Sequence, residues 1–236
     1  MNPTTPDGAT AGPRPAPGAQ PQIRVTMRPI GTALPLGYLA FALGMIMLSG
    51  DALGWFKGEE ILLGLVLAAY VFPLQLVATV MVFLGRDSAS ATILGLFTTS
   101  WLALGLLDVF KQPGSLPTVQ GVFSLAFGVA VLGLAVVASL AKPLFAVVLV
   151  LCSARAVVDG VFILTDVPAV AFATGCIALA TTAGAAYLGF SLLIENAWPR
   201  AVLPTFRRKA AAGALEGDIT AARAGILAEP GVRDQL

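Results

Sequence analysis

The sequence predicts an all-α membrane protein, a bundle of six transmembrane helices. Of its 236 residues, 57% are hydrophobic and only 11% are charged, and the mean hydropathy is +0.88. A soluble domain carries about 25% charged residues, so this chain has too few charges for a surface that faces water on all sides. Its apolar residues also fall into six segments, each near the length of about 20 residues with which a helix crosses a bilayer.

Short polar connections such as KGEE (57–60) and GRDSAS (85–90) separate these segments. The six segments span 35–56, 61–84, 91–110, 119–140, 143–164 and 168–194.

The membrane domain, 31–206, is predicted to lie between two tails. Residues 1–30 are rich in Pro and Gly and have few large apolar side chains, so they cannot bury enough surface to fold and are expected to be disordered. Residues 207–236 have apolar side chains at helical spacing, ending before Pro230. This pattern fits a short amphipathic helix or a loosely ordered tail on the cytoplasmic side.

Basic residues predict the orientation of the bundle. With six spans, both termini share one side with the second and fourth loops. That side carries eleven of the Lys and Arg residues, whereas the other side carries Lys57 and Lys111. Because loops rich in Lys and Arg stay in the cytoplasm, both termini are expected there, in a multi-pass protein of the inner or plasma membrane.

Composition argues against several classes of function. The chain has no histidine, which removes the commonest general base and the usual zinc ligand. Cys152 and Cys176 both lie in apolar runs, where cysteine behaves as a small hydrophobic residue. We expect no enzyme activity, no metal and no cofactor. The net charge of +1, without a basic patch, indicates no nucleic-acid partner.

Arg155 and Asp159 interrupt the apolar run of the fifth segment. A lone charge at the centre of a bilayer costs about 2.5–3.5 kcal/mol, but the i, i+4 spacing places these two on one helical face, where they can pair. That face should point into the bundle, a pore or a subunit contact. Two interpretations stay open: the pair locks the fifth helix to its neighbours, or Arg155 attracts an anion that Asp159 modulates.

Gln75 and Pro73 interrupt the second segment, and Pro35 and Gly37 stand at the start of the first. A glutamine amide in hydrocarbon needs partners, so Gln75 should either line a pore or form an interhelical hydrogen bond. Pro35 and Gly37 favour a helix start or break, where backbone amides can point at an anion.

Two stretches near the N-terminus match the motifs of a known transporter family. TALPLG (32–37) keeps the Pro-Leu-Gly of the family's Asn-Pro-Ala-Pro-Leu-Gly, although its initial Asn-Pro is replaced. Phe41 falls where the family has a phenylalanine at its pore constriction. YVFPLQ (70–75) keeps the glutamine of an aromatic-Gly-Gly-x-x-Gln motif and replaces both glycines.

Two further stretches follow in the same order. GLFTTSW (95–101) keeps the motif's tryptophan, Trp101, and has Phe97 where the family has a constriction tyrosine. AAYLGFSLLIENAWPRAVLP (185–204) keeps Tyr187 and inverts the family's Asn-Glu to Glu195-Asn196. Together they resemble the acetate uptake transporter family, whose bacterial members are acetate/succinate permeases.

The resemblance implies a narrow pore through each protomer and assembly as a hexamer in the bilayer. The partners would be a small carboxylate, acetate or succinate, the surrounding lipid and further copies of the chain. Phe41 and Phe97 would form the constriction, with Leu151 or Cys152 added from the fifth helix. Arg155 and Asp159 have no counterpart in the family, where these positions are apolar. The expected pathway residues are Pro35, Leu36, Gly37, Phe41, Gln75, Phe97, Trp101, Leu151, Arg155, Asp159, Tyr187 and Glu195.

Two other functions remain open at this point. One is a channel for a small neutral solute such as urea or an amide. The other is a membrane interaction protein that carries nothing. If transport is coupled to protons, the candidate titrating groups are Asp51, Asp108, Asp159 and Glu195.

Overall fold

The computed structural model describes residues 31–85, 87–112, 115–198 and 203–206, so the predictions for the tails 1–30 and 207–236 lie outside the described residues. In the described ranges the chain forms six helices that are long and apolar enough to cross a membrane, which confirms the predicted fold class. They are α1 (Leu34–Ala52), α2 (Glu60–Leu84), α3 (Ser88–Phe110), α4 (Thr118–Ser139), α5 (Pro143–Thr165) and α6 (Pro168–Ala197).

The first helix ends earlier than the hydropathy predicts. The apolar segment continues to position 56, but the helix stops at Ala52, and a turn follows. Gly54 and Gly58 in this turn have φ of 76° and 79°, the left-handed region that glycine adopts without a steric penalty. Apolar length therefore overestimates α1 by about one turn.

The second helix contains a π-helical turn at Leu67–Val71. Here the N–H of Phe72 donates to the carbonyl of Leu67, five residues back. Pro73 follows directly and has no N–H to donate, so an ordinary helix would lose a hydrogen bond at this point. The wide turn lies directly before the proline, and the helix continues to Leu84.

The six helices form a ring in chain order. Contacts join α1 to α2, α2 to α3, α4 to α5, α5 to α6 and α6 back to α1, while α3 and α4 touch over a much smaller area. Since the helices alternate in direction, the start of α1 and the end of α6 lie at the same end of the bundle. We call it the terminal end.

Close glycine contacts and interhelical hydrogen bonds hold neighbouring helices together. A Cβ atom added to Gly64 of α2 would lie 2.5 Å from the carbonyl oxygen of Gly105 in α3, so this pair needs glycine at both positions. Ser49 donates to the carbonyl of Gly175 across α1 and α6 at 2.8 Å, and Ser153 donates to that of Gly128 across α5 and α4 at 2.7 Å. Small residues and hydroxyl bonds of this kind are how helices associate in lipid, where burial of apolar surface gives no net gain.

Candidate functional site

Three cavities follow one another along the inside of the ring. A vestibule of about 430 Å³ lies at the terminal end, and two small cavities of about 20 and 30 Å³ lie deeper. We call the latter the middle and the far cavity. The residues of α5 give their order, since Lys142 lines the vestibule, Leu149 the middle cavity and Arg155 the far cavity. The three cavities therefore mark an axial path.

Aromatic side chains separate the cavities. Tyr38 and Phe145 line both the vestibule and the middle cavity, and their rings meet edge to face with centroids 5.5 Å apart. Phe97 stands between the middle and far cavities, with its ring 4.9 Å from that of Phe41 and 5.2 Å from that of Phe127. The path is closed at both places by packed rings.

The family resemblance implies that Phe41 and Phe97 lie together at a constriction, and the structure brings their rings into contact. Cys152, an alternative to Leu151 in the predicted constriction, lines both small cavities beside Phe97. Tyr38, Phe145 and Phe127 were not predicted, because an apolar side chain in a membrane helix shows no sequence signal for facing a path rather than lipid.

Gln75 holds three helices at the level of the constriction. Its side chain is completely buried, its amide nitrogen donates to the carbonyl of Gly37 in α1 at 3.3 Å, and its amide oxygen accepts from the indole N–H of Trp101 in α3. The Trp101 ring in turn packs against Phe41, with centroids 5.6 Å apart. The structure thus shows the interhelical hydrogen bond, and Gln75 also lines the middle cavity, while its role in a pore stays a prediction.

Arg155 and Asp159 form an ion pair inside the bundle. Nη2 of Arg155 donates to Oδ1 of Asp159 at 3.2 Å, and the two residues are 8% and 9% exposed. Oδ2 of Asp159 accepts from the hydroxyl of Ser124 in α4 at 2.9 Å. Arg155 lines the far cavity, and both members of the pair are buried in the bundle and not exposed on its outer surface.

A second ion pair lies at the edge of the vestibule. Nζ of Lys142, before α5, lies 3.1 Å from Oδ2 of Asp87 and 3.1 Å from the hydroxyl of Ser90, at the start of α3. Burial raises the pKa of the Asp87 carboxyl. The ammonium of Lys142 and the hydrogen bonds from Ser90 outweigh burial and hold the pKa below its ordinary value. The pair therefore joins α3 and α5 through a carboxylate that stays charged at neutral pH.

Glu195, Tyr187 and Trp101 take different places. Glu195 lines the vestibule and accepts from the hydroxyl of Thr205 at 3.4 Å, and Trp101 lines the far cavity. The hydroxyl of Tyr187 donates to the carbonyl of Pro204 at 3.1 Å, so it ties α6 to the chain that follows it.

Other expected pathway residues lie away from the three cavities. Leu151 lines a groove between α4 and α5 on the outside of the bundle, and Leu36 is 38% exposed at the start of α1. Pro35 and Gly37 are buried in helix packing, where a Cβ on Gly37 would lie 3.1 Å from Leu94. Since the cavity linings include none of these four, their part in a path stays a prediction.

Among the described residues, no group of three or more His, Cys, Asp or Glu side chains could hold a metal ion. Two ion pairs lie along the row of cavities, Asp87 with Lys142 and Arg155 with Asp159, and the carboxylate of Glu195 also lines the vestibule. Along this row of cavities, apolar rings alternate with polar groups at the vestibule and beyond the Phe41–Phe97 contact.

No protein-family model and no curated protein sequence matches this chain. Among solved structures, its fold is similar to that of the bacterial acetate channel SatP, with a TM-score of 0.67 and 20% sequence identity. The similarity covers 74% of this chain and 98% of the channel. At this sequence identity the similarity establishes a shared six-helix fold. It confirms, at the level of the fold, the family resemblance that the sequence motifs indicate.

Proposed function

We propose that this protein is a membrane channel for small monocarboxylates such as acetate. The observation that carries the proposal is the axial path, three cavities in a closed ring of helices separated by aromatic contacts. The shared fold with a bacterial acetate channel supports the same class of permeant.

The aromatic contacts act as the selectivity barrier. A hydrated cation loses its water at an apolar ring and gains nothing there, so the barrier excludes it. An aromatic edge carries partial positive charge and favours a carboxylate weakly, and the rings of Phe41 and Phe97 meet edge to face. The Lys142 ammonium also lines the vestibule, where the carboxylates of Asp87 and Glu195 offset its charge.

The small cavities restrict the size of the permeant. A water molecule needs about 10–15 Å³ measured in this way, so the 20 and 30 Å³ cavities hold about one and two waters. Acetate, with four non-hydrogen atoms, passes only when ring side chains rotate aside. Larger solutes need proportionally larger movements, which favours monocarboxylates of two or three carbons over succinate.

Assembly into a homo-oligomer in the inner or plasma membrane is part of the same proposal, with a hexamer implied by the resemblance. The groove on the outside of α4 and α5, lined by Leu132, Val136, Val147 and Val150, is apolar and lies opposite the path. Native mass spectrometry of the detergent-extracted protein measures the subunit number, and a monomer would contradict this part.

A channel for a neutral solute is the second candidate. The observation that favours it is the pairing of Arg155 with Asp159, which leaves this stretch of the path without net formal charge. A neutral amide such as urea would cross such a path without facing a charged barrier.

Uptake of radiolabelled acetate and of urea into liposomes that contain the purified protein separates the two candidates. We expect acetate to enter faster than it enters empty liposomes at neutral pH, and urea to enter at the rate of empty liposomes. Entry of urea alone would support the neutral-solute channel. Entry of neither would indicate an interaction protein without transport.

A further inference from the structure

We propose that Arg155 forms a carboxylate-binding site in the far cavity, which selects small monocarboxylates from neutral solutes of the same size. This site rests on the proposed function, since it serves a permeant that has crossed, or is about to cross, the Phe41–Phe97 contact. The evidence is the hydrogen bonding of the guanidinium, the fixed position of Asp159 and the shape of the cavity.

The guanidinium of Arg155 has unused donors. Arginine carries five N–H donors in a fixed plane, and the hydrogen bond shown for this one goes from Nη2 to Asp159. Within the described part of the chain, Nε is buried and has no hydrogen-bond partner. A buried donor without a partner is costly, and arginine in particular binds a carboxylate through two parallel N–H bonds. The unpaired edge of Arg155 is therefore suited to a second carboxylate, one that comes from a ligand.

Asp159 holds Arg155 in place without occupying its whole donor set. Both oxygens of Asp159 have partners, Oδ1 in Arg155 and Oδ2 in the hydroxyl of Ser124. The carboxylate is thus fixed between α4 and α5. Its charge also offsets that of Arg155, so an anion binds here weakly enough to leave again, which conduction requires.

The other polar groups of the far cavity do not donate to a ligand. The hydroxyl of Ser100 donates to the carbonyl of Phe97 at 2.7 Å, and that of Ser124 donates to Asp159. Both protons are used, so among the described side chains of this cavity Arg155 supplies the free N–H groups. A ligand held by donors alone must offer acceptors, as a carboxylate does.

The apolar side chains that line the far cavity determine which group can lie beside the carboxylate of the ligand. The cavity of about 30 Å³ is otherwise lined mainly by apolar side chains, among them Met45, Leu48, Phe123 and Phe127. These contact the methyl group of acetate once the aromatic rings have rotated aside, as they must for acetate to pass. A second carboxylate on the same ligand would meet no donor there, so a dicarboxylate such as succinate should bind more weakly than acetate.

Two variants test the site. Arg155→Gln with Asp159→Asn removes both charges together and leaves no lone ion. We expect it to weaken binding of ¹³C-acetate, followed by NMR in detergent, by about ten- to a hundredfold, the range for a hydrogen bond to a charged group. In liposomes, acetate uptake should fall while uptake of acetamide, the neutral counterpart, stays at the wild-type rate. Asp159→Asn alone keeps Arg155 charged and should tighten acetate binding.

The matched control is Thr174→Val in α6. Thr174 is completely buried, donates to the carbonyl of Val170 in its own helix and lines none of the three cavities, so acetate binding and both uptakes should keep their wild-type values. A pair that only packs helices would change acetate and acetamide uptake together.

The possible results are distinct. Equal acetate affinity in the wild type and the folded double variant would overturn the site. If the double variant fails to fold, Asp159→Asn decides: acetate binding that is unchanged or weaker overturns the site. If the wild type binds acetate through Arg155 but carries none across the membrane, the site stands and the proposed channel fails.

Discussion

At the scale of single residues, Gln75 links three helices through buried hydrogen bonds beside the Phe41–Phe97 contact. It bonds Gly37 and the indole of Trp101, both inside the bundle. Gln75→Leu would leave the Trp101 N–H buried without an acceptor, at a cost of about 1–3 kcal/mol. We expect a lower midpoint of thermal unfolding in detergent.

A double-mutant cycle identifies the cause. Trp101→Phe removes the indole N–H that Gln75→Leu leaves without an acceptor. Gln75→Leu should therefore lower the free energy of unfolding less in that background than in the wild type. Equal costs in both backgrounds would show that the indole hydrogen bond does not stabilise the fold.

The lowered pKa of Asp87 predicts that the protein becomes less stable in acid. Its pKa is lowered in the folded protein by Lys142 and Ser90 against the effect of burial. Its contribution to stability is therefore fully present above the ordinary aspartate pKa of 3.8 and is lost as the pH falls through the lower folded value. Thermal unfolding followed from neutral pH down to about pH 3 should show a decline that Asp87→Asn reduces. An identical decline in the variant would contradict this role.

Much of the site is predictable where a residue carries its own signal. Arg155 and Asp159 are recognisable as a pair from their spacing, and Gln75 from its polarity in an apolar segment. The partner of Asp159, Ser124, is not recognisable, because only the packing of α4 on α5 makes it the neighbour. The positions of Tyr38 and Phe145 beside the cavities were not predictable for the same reason, since an aromatic residue that faces a path and one that faces lipid look alike in sequence.

At the scale of the helices, close backbone contact joins α2 to α3. Gly64→Ala would bring a Cβ to 2.5 Å from the carbonyl oxygen of Gly105, so the helices must move apart. We expect a loss of about 1–3 kcal/mol, the usual cost of overpacking, measured by unfolding in detergent. Gly133→Ala in α4 is the matched control, because nothing lies within 4 Å of its added Cβ. A similar loss in both variants would contradict the contact.

Hydropathy predicts the helices themselves well, since six apolar segments give six helices. It fails at the end of α1, where the apolar segment runs on into a turn at Gly54. It also does not predict the π-helical turn before Pro73. Both differences depend on how the backbone N–H and carbonyl groups pair. The average polarity of a segment does not predict that pairing.

At the scale of the whole molecule, the ring of helices encloses a path that aromatic rings close. We propose that acetate crosses the protein between Phe41 and Phe97. Phe97→Trp places a larger ring at this contact, so a larger side chain must move aside when acetate passes, and each 1.4 kcal/mol added to the barrier slows passage about tenfold. Phe172→Trp is the matched control, since Phe172 is 63% exposed on the outside of α6.

Uptake of radiolabelled acetate into liposomes at neutral pH tests this claim most directly. We predict uptake above that of empty liposomes for the wild type and for Phe172→Trp, and a loss of about tenfold or more for a folded Phe97→Trp. Wild-type uptake no faster than in empty liposomes, or undiminished uptake by Phe97→Trp, would contradict the account.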